Sequence, residues 1–178
     1  MNLKIILSSI LLSACVCNVA AQNSFKDRLY LTFNVTTGGP LNGNLKPNSF
    51  SIHTCGLQVG FRLKQHLAFF LTESAELSLT NIANTKNYNG TFSLGAGTAY
   101  NFPVNNYFSI EPALTCSSTI IKRQLNYLSP KLELRFCGHI PRASAIYLGF
   151  GLQYIHPYSK EIIPDLLTYF LTLGFKLF

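Results

Sequence analysis

Alternation of apolar and polar side chains is the feature that most constrains what this chain can fold into. Eight runs between residues 28 and 178 follow this period of two. Successive runs of about ten alternating residues, separated by turn-forming stretches, are typical of the strands of membrane barrels. The predicted strands cover residues 28–36, 49–63, 67–79, 91–102, 107–116, 126–137, 145–155 and 166–178.

Some of these runs are irregular. In the second run, Phe50 and Ile52 begin the apolar face, but the phase changes near Cys55 and Gly56. This change predicts a bulge at the glycine. In the third run, Glu73 interrupts the apolar face and makes this strand the least regular. The fifth and sixth runs contain prolines, which cannot donate to a strand ladder: Pro112 and Pro130.

The connections between the runs alternate in length. The long ones are 38–48, 80–90, 117–125 and 156–165, the short ones are 64–66 and 103–106, and 138–144 is intermediate. Outer-membrane barrels have short periplasmic turns and longer extracellular loops. The alternation therefore predicts that both chain ends lie in the periplasm and that four long loops lie outside the cell.

The composition of the two faces favours a membrane barrel over a soluble barrel of the lipocalin kind. One face is almost unbroken Leu, Ile, Val and Phe, and the other is mostly Ser, Thr, Gly, Asn and Gln. Charged residues make up 12% of the chain, against about 25% in a typical globular domain. Eight strands leave an interior just wide enough for side chains. We therefore predict an all-β fold, an eight-stranded antiparallel up-and-down transmembrane β-barrel.

Aromatic residues fall near both ends of the predicted strands, as two interfacial girdles require. The periplasmic girdle is predicted to contain Phe61, Phe69, Tyr100, Phe102, Phe108, Phe136 and Phe175. The outer girdle is predicted to contain Phe50, Phe92, Tyr154 and Tyr169.

An export signal precedes the barrel. Lys4 lies in a short basic region, residues 5–16 are apolar, and small residues follow at positions 19 and 21. This pattern predicts a signal peptide over residues 1–21, cleaved between Ala21 and Gln22, and a barrel domain over residues 22–178. Residues 12–15 also resemble a bacterial lipoprotein site, so lipidation of Cys15 is the alternative. The predicted location is the outer membrane.

The chain resembles the small outer-membrane β-barrel proteins, the group that includes OmpA- and OmpX-type barrels. The resemblance rests on the signal, on the strand 127–136 (Tyr-Leu-Ser-Pro-Lys-Leu-Glu-Leu-Arg-Phe) and on the ending 173–178 (Leu-Gly-Phe-Lys-Leu-Phe). In that family a C-terminal aromatic residue is the recognition signal for the barrel-insertion machinery. Phe178 matches this signal, although it falls on the polar register of its strand. The resemblance implies outer-membrane lipid and the insertion machinery as partners.

Charged residues on the predicted inner face are candidates for a lumen network. Because the fifth and sixth strands are antiparallel neighbours, Glu111 is expected to lie across from residues 131–135. Unpaired charges in a narrow barrel are costly, so we expect salt bridges that fill the lumen. The alternative is a gate on a narrow ion path. The seven residues are Arg62, Glu76, Glu111, Lys131, Glu133, Arg135 and Lys176.

Basic residues of the predicted outer loops are candidate contacts with lipopolysaccharide. Its phosphate groups are strong partners for Lys and Arg. Ordinary solvated loop charge is the alternative interpretation. The residues are Lys46, Lys86, Lys122, Arg123 and Lys160.

One loop cluster raises the question of catalysis. His156, Ser159 and Glu161 are the residue types of a serine hydrolase, in which a base activates the hydroxyl and an acid orients the base. They belong to no recognisable motif, however, and lie in a loop beside Pro157. We therefore expect no enzymatic activity, with a lipid A-modifying enzyme as the alternative.

Other chemistry receives little support from the sequence. After signal removal Cys55, Cys116 and Cys137 remain, an odd number with no metal or redox spacing. The net charge is +7, but no Lys/Arg block marks a nucleic-acid contact. We predict a monomeric, non-enzymatic envelope protein without cofactor or metal, serving membrane integrity, adhesion or ligand binding through its loops. A narrow pore is a further alternative.

Overall fold

A computed structural model describes residues 28–41, 50–63, 66–82, 85–120, 126–140, 144–159 and 164–178. The strands are β1 (Leu29–Pro40), β2 (Phe50–Arg62), β3 (Leu67–Ile82), β4 (Thr85–Tyr100), β5 (Phe102–Pro103), β6 (Phe108–Thr119), β7 (Tyr127–Ile140), β8 (Ser144–Pro157) and β9 (Leu166–Leu177). Within the described ranges, no helix is long and apolar enough to cross a bilayer. The predicted signal peptide and Cys15 lie outside these ranges.

The strands form one closed antiparallel barrel. Neighbours in sequence pair with each other, and β1 closes the wall by pairing with β9. The short β5 continues the line of β4, because Ala99 opposes Ala113 and Phe102 opposes Ile110 in one unbroken register against β6. The wall therefore has eight strands and no open edge, and the predicted all-β barrel is confirmed.

The two ends of the barrel differ. We call the end that holds Leu29 and Leu177 the terminal end, and the opposite end the loop end. The strand ends at the terminal end are Arg62, Leu67, Pro103, Phe108, Ile140 and Ser144, and those at the loop end are Pro40, Phe50, Thr119, Tyr127, Pro157 and Leu166.

The predicted long loop 80–90 was wrong. Strands β3 and β4 pair as far as Ile82 and Thr85, so these residues form a tall hairpin. Tyr88 opposes Leu79 and Asn87 opposes Thr80. The upper part of this hairpin extends beyond the lipid-covered wall, so its strands need no apolar face. Backbone pairing alone holds them together. For this reason the alternation pattern did not reveal it.

The outer wall of the barrel is apolar and uncovered. Val35, Leu71 and Leu173 expose 60%, 67% and 60% of their surface. Apolar exposure on this scale marks a surface that lipid or a partner covers. Aromatic side chains lie on this wall toward both ends. Tyr154 and Tyr169 are exposed toward the loop end. Toward the terminal end, Phe136 stacks between Phe108 and Phe150, at 6.2 and 5.8 Å between ring centroids.

The second strand contains no bulge, and the predicted placement of Phe50 and Ile52 on the outer wall was wrong. The register of β2 against β1 runs unbroken through Cys55, which opposes Val35. Phe50 and Ile52 therefore share the inward face with Thr54, and both are buried. Apolar residues fill the lumen at this end. In the sequence, apolar residues on the inward face look like a change in the phase of the alternation. Phe50 is consequently not part of the outer aromatic girdle.

The strands that looked irregular in sequence belong fully to the wall. Strand β3 is continuous through Glu73, whose strand partners are Leu57 and Leu94. Pro112 lies where the line of β4 gives way to β5, and Pro130 lies where the β7–β8 pairing is interrupted. Each proline costs hydrogen bonds of the ladder because it has no amide hydrogen. Neither proline shifts the register of its strand.

Candidate functional site

A cluster of four ionised side chains spans the lumen in the half nearer the terminal end. We call Glu111, Glu133, Arg135 and Lys176 the charged cluster. Nη1 of Arg135 donates to Oε1 of Glu111 at 3.1 Å, and its Nε donates to Oε2 of Glu133 at 2.8 Å. The ammonium of Lys176 donates to both carboxylate oxygens of Glu111, at 2.8 and 2.7 Å. Two cations and two carboxylates thus neutralise one another inside the barrel.

The strand register brings the cluster together. Glu111 on β6 lies directly opposite Arg135 on β7, within the segment 131–135 that the sequence predicted to face it. Lys176 arrives from β9, which does not neighbour β6, so its pair with Glu111 spans the lumen. Arg135 is fully buried and lies over the rings of Phe70 and Tyr147, with 5.5 and 5.1 Å to the ring centroids. Charges this well buried are stable only as a complete set.

Glu76 belongs to a separate network of hydroxyl groups nearer the loop end. Ser93 and Ser74 donate to its Oε1 at 2.6 and 3.0 Å. The hydroxyl of Tyr127 donates to its Oε2. This carboxylate is held by neutral donors, with no ion pair among the described residues.

Arg62 lies at the terminal end, on the same Tyr30 ring as Lys176, but it forms no ion pair with the charged cluster. Its guanidinium packs over the ring of Phe178, with 4.0 Å to the centroid, and lies 5.9 Å from the ring of Tyr30. Phe178 is half-buried and packs against the inward apolar side chains of this end. The inward register predicted for Phe178 is therefore the one it occupies.

Lys131 points inward but makes no ion pair with any described residue. It lines a small polar cavity near the middle of the barrel together with Glu133. Of the seven lumen charges that the sequence singled out, the structure joins four. The other three, Arg62, Glu76 and Lys131, lie outside this set of ion pairs.

An apolar cluster fills the lumen at the loop end. We call Phe50, Ile52, Tyr127, Ile155 and Leu166 the apolar plug. All five side chains are at most 2% exposed. They come from β2, β7, β8 and β9, so the plug spans the barrel from wall to wall. The sequence analysis missed the plug because it placed Phe50 and Ile52 on the lipid-facing wall and took the inner face to be mostly polar.

Large aromatic side chains fill the lumen toward the terminal end. Tyr30 lies against Gly60, and Tyr147 lies against Gly174, in each case where a Cβ atom would overlap the ring. Glycine on the facing strand lets the ring lie flat on the backbone. The sequence analysis did not predict these tyrosine–glycine pairs. The alternation pattern could have indicated them, because it places both the tyrosine and the glycine of each pair on the inward face.

Only one of the five predicted lipopolysaccharide contacts lies among the described residues. Lys86 is exposed on β4, near the tip of the tall hairpin. Lys46, Lys122, Arg123 and Lys160 lie outside the described ranges.

The proposed catalytic loop has a different arrangement from a hydrolase site. Nδ1 of His156 lies 2.6 Å from Oδ1 of Asp165, and its ring stacks on that of Tyr154. Within the described part of the chain, no serine hydroxyl lies in hydrogen-bond contact with His156. Ser159 is exposed, and Glu161 lies outside the described residues.

A serine–histidine pair does occur at the terminal end of the lumen. Oγ of Ser109 lies 2.8 Å from Nε2 of His139. Ser109 is fully buried, so its hydroxyl has no room for a substrate. Among the described residues, no carboxylate orients the other ring nitrogen as nucleophilic catalysis requires. The pair satisfies buried polar atoms.

Comparison with solved structures shows the same fold in neisserial surface protein A. Neisserial surface protein A has a TM-score of 0.57 and 11% identity, over 84% of this chain and 96% of that chain. Ail of Yersinia pestis gives a TM-score of 0.48 with 11% identity, over 84% of this chain and 99% of that chain. OprG of Pseudomonas aeruginosa gives 0.45 with 10% identity, over 84% and 95%. No protein-family model and no curated protein matches the sequence.

The fold and the two faces of the wall agree on where the chain lies. A closed barrel satisfies its backbone hydrogen bonds internally, as hydrocarbon surroundings require. An apolar band on the outside with polar groups inside is the arrangement of bacterial outer-membrane barrels. The architecture is that of the small eight-stranded barrels of the outer membrane.

Proposed function

We propose that this outer-membrane barrel is a closed, non-enzymatic envelope protein that presents its loop end at the cell surface. The observation that carries the proposal is the filling of the lumen in layers. The apolar plug lies at the loop end, and the charged cluster lies below it. The side chains of both layers are buried, so we expect no continuous path for hydrated ions between the described strands. The barrel then serves as a rigid base for its outer connections.

Planar-bilayer recording tests closure directly. The purified barrel is expected to insert without discrete conductance steps, under conditions in which a porin, as positive control, conducts. Steady single-channel steps from the native barrel would instead support a narrow pore. The variant Glu111→Gln should also remain closed, because the apolar plug does not depend on that carboxylate.

Contact between the basic outer residues and lipopolysaccharide is the second element of the proposal. It is supported by the exposure of Lys86 on the tall hairpin and by the phosphate affinity of Lys and Arg. Replacing the five candidate residues by Gln is expected to weaken lipopolysaccharide binding and lower thermal stability in mixed micelles. The residues are Lys46, Lys86, Lys122, Arg123 and Lys160.

A matched control removes basic residues from the other end of the barrel. Arg28, Lys64 and Arg142 lie in sequence at the terminal end, outside the membrane-spanning strands. Replacing them by Gln should leave lipopolysaccharide binding intact. Equal losses in both variants would point to net charge alone, and no loss in the five-residue variant would refute the contact.

Lipid A modification is tested in the same strains. Overexpression of the native barrel is expected to leave the mass of lipid A unchanged. A loss or gain of an acyl chain that disappears in His156→Ala would overturn the non-enzymatic assignment.

A further inference from the structure

Two arginines lie opposite each other at the terminal end, at the corner between β1 and β2. Arg28 precedes β1, Arg62 ends β2, and the amide of Arg62 donates to the carbonyl oxygen of Arg28 at 2.7 Å. Side chains that oppose each other on neighbouring strands have Cβ atoms about 5 Å apart, and like charges in this arrangement are destabilising. Neither guanidinium forms an ion pair with any described carboxylate, including the chain-end carboxylate of Phe178. We call Arg28 and Arg62 the basic corner.

The carboxylates of the lumen do not neutralise the basic corner. They are matched in number by the other lumen cations, since Glu76, Glu111 and Glu133 stand against Lys131, Arg135 and Lys176.

The neighbouring sequence does not neutralise the basic corner either. Residues 26–28 and 62–64 contain four basic residues and one acidic residue, Asp27. With the chain-end carboxylate of Phe178 included, two positive charges remain in excess. The corner therefore calls for an anionic partner from outside the chain.

The guanidinium of Arg62 is held in a position to bind an oxyanion. It packs over the ring of Phe178, with 4.0 Å to the ring centroid. A guanidinium stacked on a ring keeps its N–H donors at the edge of its plane. Arg62 is half-buried and Arg28 is exposed, and neither side chain donates a hydrogen bond to a described residue. Phosphate oxygens accept paired hydrogen bonds from guanidinium groups, so two adjacent arginines fit a phosphate.

The basic corner also borders the apolar outer wall. Leu63, which follows Arg62, and Phe69 expose 50% and 47% of their surface. A phospholipid whose acyl chains cover these side chains brings its phosphate to the strand ends, where the basic corner lies. We propose that the basic corner binds the headgroup phosphate of an anionic phospholipid in the leaflet at the terminal end. This site goes beyond the proposed function, which concerns the loop end.

Tryptophan quenching by brominated lipids tests the site, because the chain contains no Trp. Leu63→Trp places a single reporter beside the basic corner. Val104→Trp is the matched reporter at the same end, since Val104 is 59% exposed and residues 103–107 include no charge. In phosphatidylcholine vesicles, brominated phosphatidylglycerol should bind beside Leu63→Trp about fivefold more tightly than brominated phosphatidylcholine, the ratio for one basic residue at an anionic surface. Val104→Trp should show little preference.

Two double variants in the Leu63→Trp background locate the charge responsible. Arg28→Gln with Arg62→Gln should abolish the preference for phosphatidylglycerol. Lys86→Gln with Lys160→Gln removes the same number of charges from the loop end and should keep it. If the arginine double variant fails to fold, Arg28→Gln alone changes only an exposed side chain and should weaken the preference.

Equal quenching by the two lipids at Leu63→Trp would overturn the proposal. A preference that persists without the two arginines, or one of equal size at Val104→Trp, would show attraction by net charge and would overturn it as well. Inorganic phosphate separates a lipid site from a site for soluble anions. At constant ionic strength, millimolar phosphate should leave the preference unchanged, and displacement of phosphatidylglycerol by phosphate would refute the lipid assignment.

Discussion

Glu111 is the residue on which the charged cluster depends, because it accepts from both Arg135 and Lys176. Its side chain is 6% exposed and that of Lys176 is 3% exposed. Removing a buried carboxylate leaves two cations without full compensation. The charges of the cluster depend on one another, so neutralising one of them is expected to lower the stability of the barrel strongly.

We predict that Glu111→Gln destabilises the barrel by about 3 kcal/mol, a typical cost of breaking a buried ion pair. The measurement is urea unfolding in micelles. Glu73→Gln is the matched control, since it makes the same chemical change on the outer wall. An equal loss in the two variants would show that burial in the charged cluster is not the cause.

Glu73 itself is a charge on the lipid-facing wall, between Leu57 and Leu94. It makes no hydrogen bond or ion pair with any described residue. Charged side chains on this face destabilise barrels, by less for Glu than the roughly 2–4 kcal/mol of a midplane Lys or Arg. Glu73→Leu should therefore raise the free energy of unfolding in phospholipid vesicles. A decrease would indicate that the carboxylate has a stabilising partner in the membrane.

At the scale of the strand, the fit between facing strands depends on small residues opposite large rings. Gly174 on β9 lies under the ring of Tyr147 on β8, whereas Gly138 on β7 has its nearest neighbour, a backbone oxygen of Ile146, at 3.8 Å from an added Cβ. Both glycines lie within strands, but Gly174 faces the crowded lumen and Gly138 faces the open outer wall. This difference makes them a natural pair for testing packing inside the wall.

We expect Gly174→Ala to cost about 1–3 kcal/mol, because the added methyl group overpacks the lumen against the ring. Gly138→Ala should change stability little. Unfolding of both variants in the same micelles measures the contrast. Similar stabilities would mean that the ring of Tyr147 can move aside at no cost.

The strands also show where periodicity was a sufficient guide. The parity of Ser129, Lys131, Glu133 and Arg135 placed all four side chains in the lumen, and each faces inward. The same rule failed at Phe50, where an apolar side chain faces the lumen. Alternation identifies two faces of a strand, but it does not tell which apolar residue faces lipid and which fills the barrel.

At the scale of the whole molecule, closure of the barrel makes its unfolding cooperative, since β1 and β9 must pair for the wall to exist. We predict a compact band of faster migration on unboiled gels and a slower band after boiling. The protein should fractionate with the outer membrane. Recovery of the protein as a soluble periplasmic species would contradict the assignment to the membrane.

The sequence by itself determined the all-β class, the number of strands and the face on which the lumen charges lie. These features depend on the period of two, which is a local property of each strand. The approach of Glu111 to the segment 131–135 also followed, because hairpin neighbours must be antiparallel, whereas the exact register came from the structure. The alternation also indicated where most strands end, and so the approximate lengths of most connections.

Only the tertiary structure decided what meets across the lumen. Lys176 and Glu111 are separated by 65 positions and lie on strands that are not neighbours, and no local pattern joins them. The apolar plug and the isolation of Lys131 have the same origin, whereas the tall β3–β4 hairpin depends on backbone pairing that the alternation pattern does not show. Closing eight strands into a narrow cylinder brings inward side chains together across its axis, and that proximity exists only once the cylinder is closed.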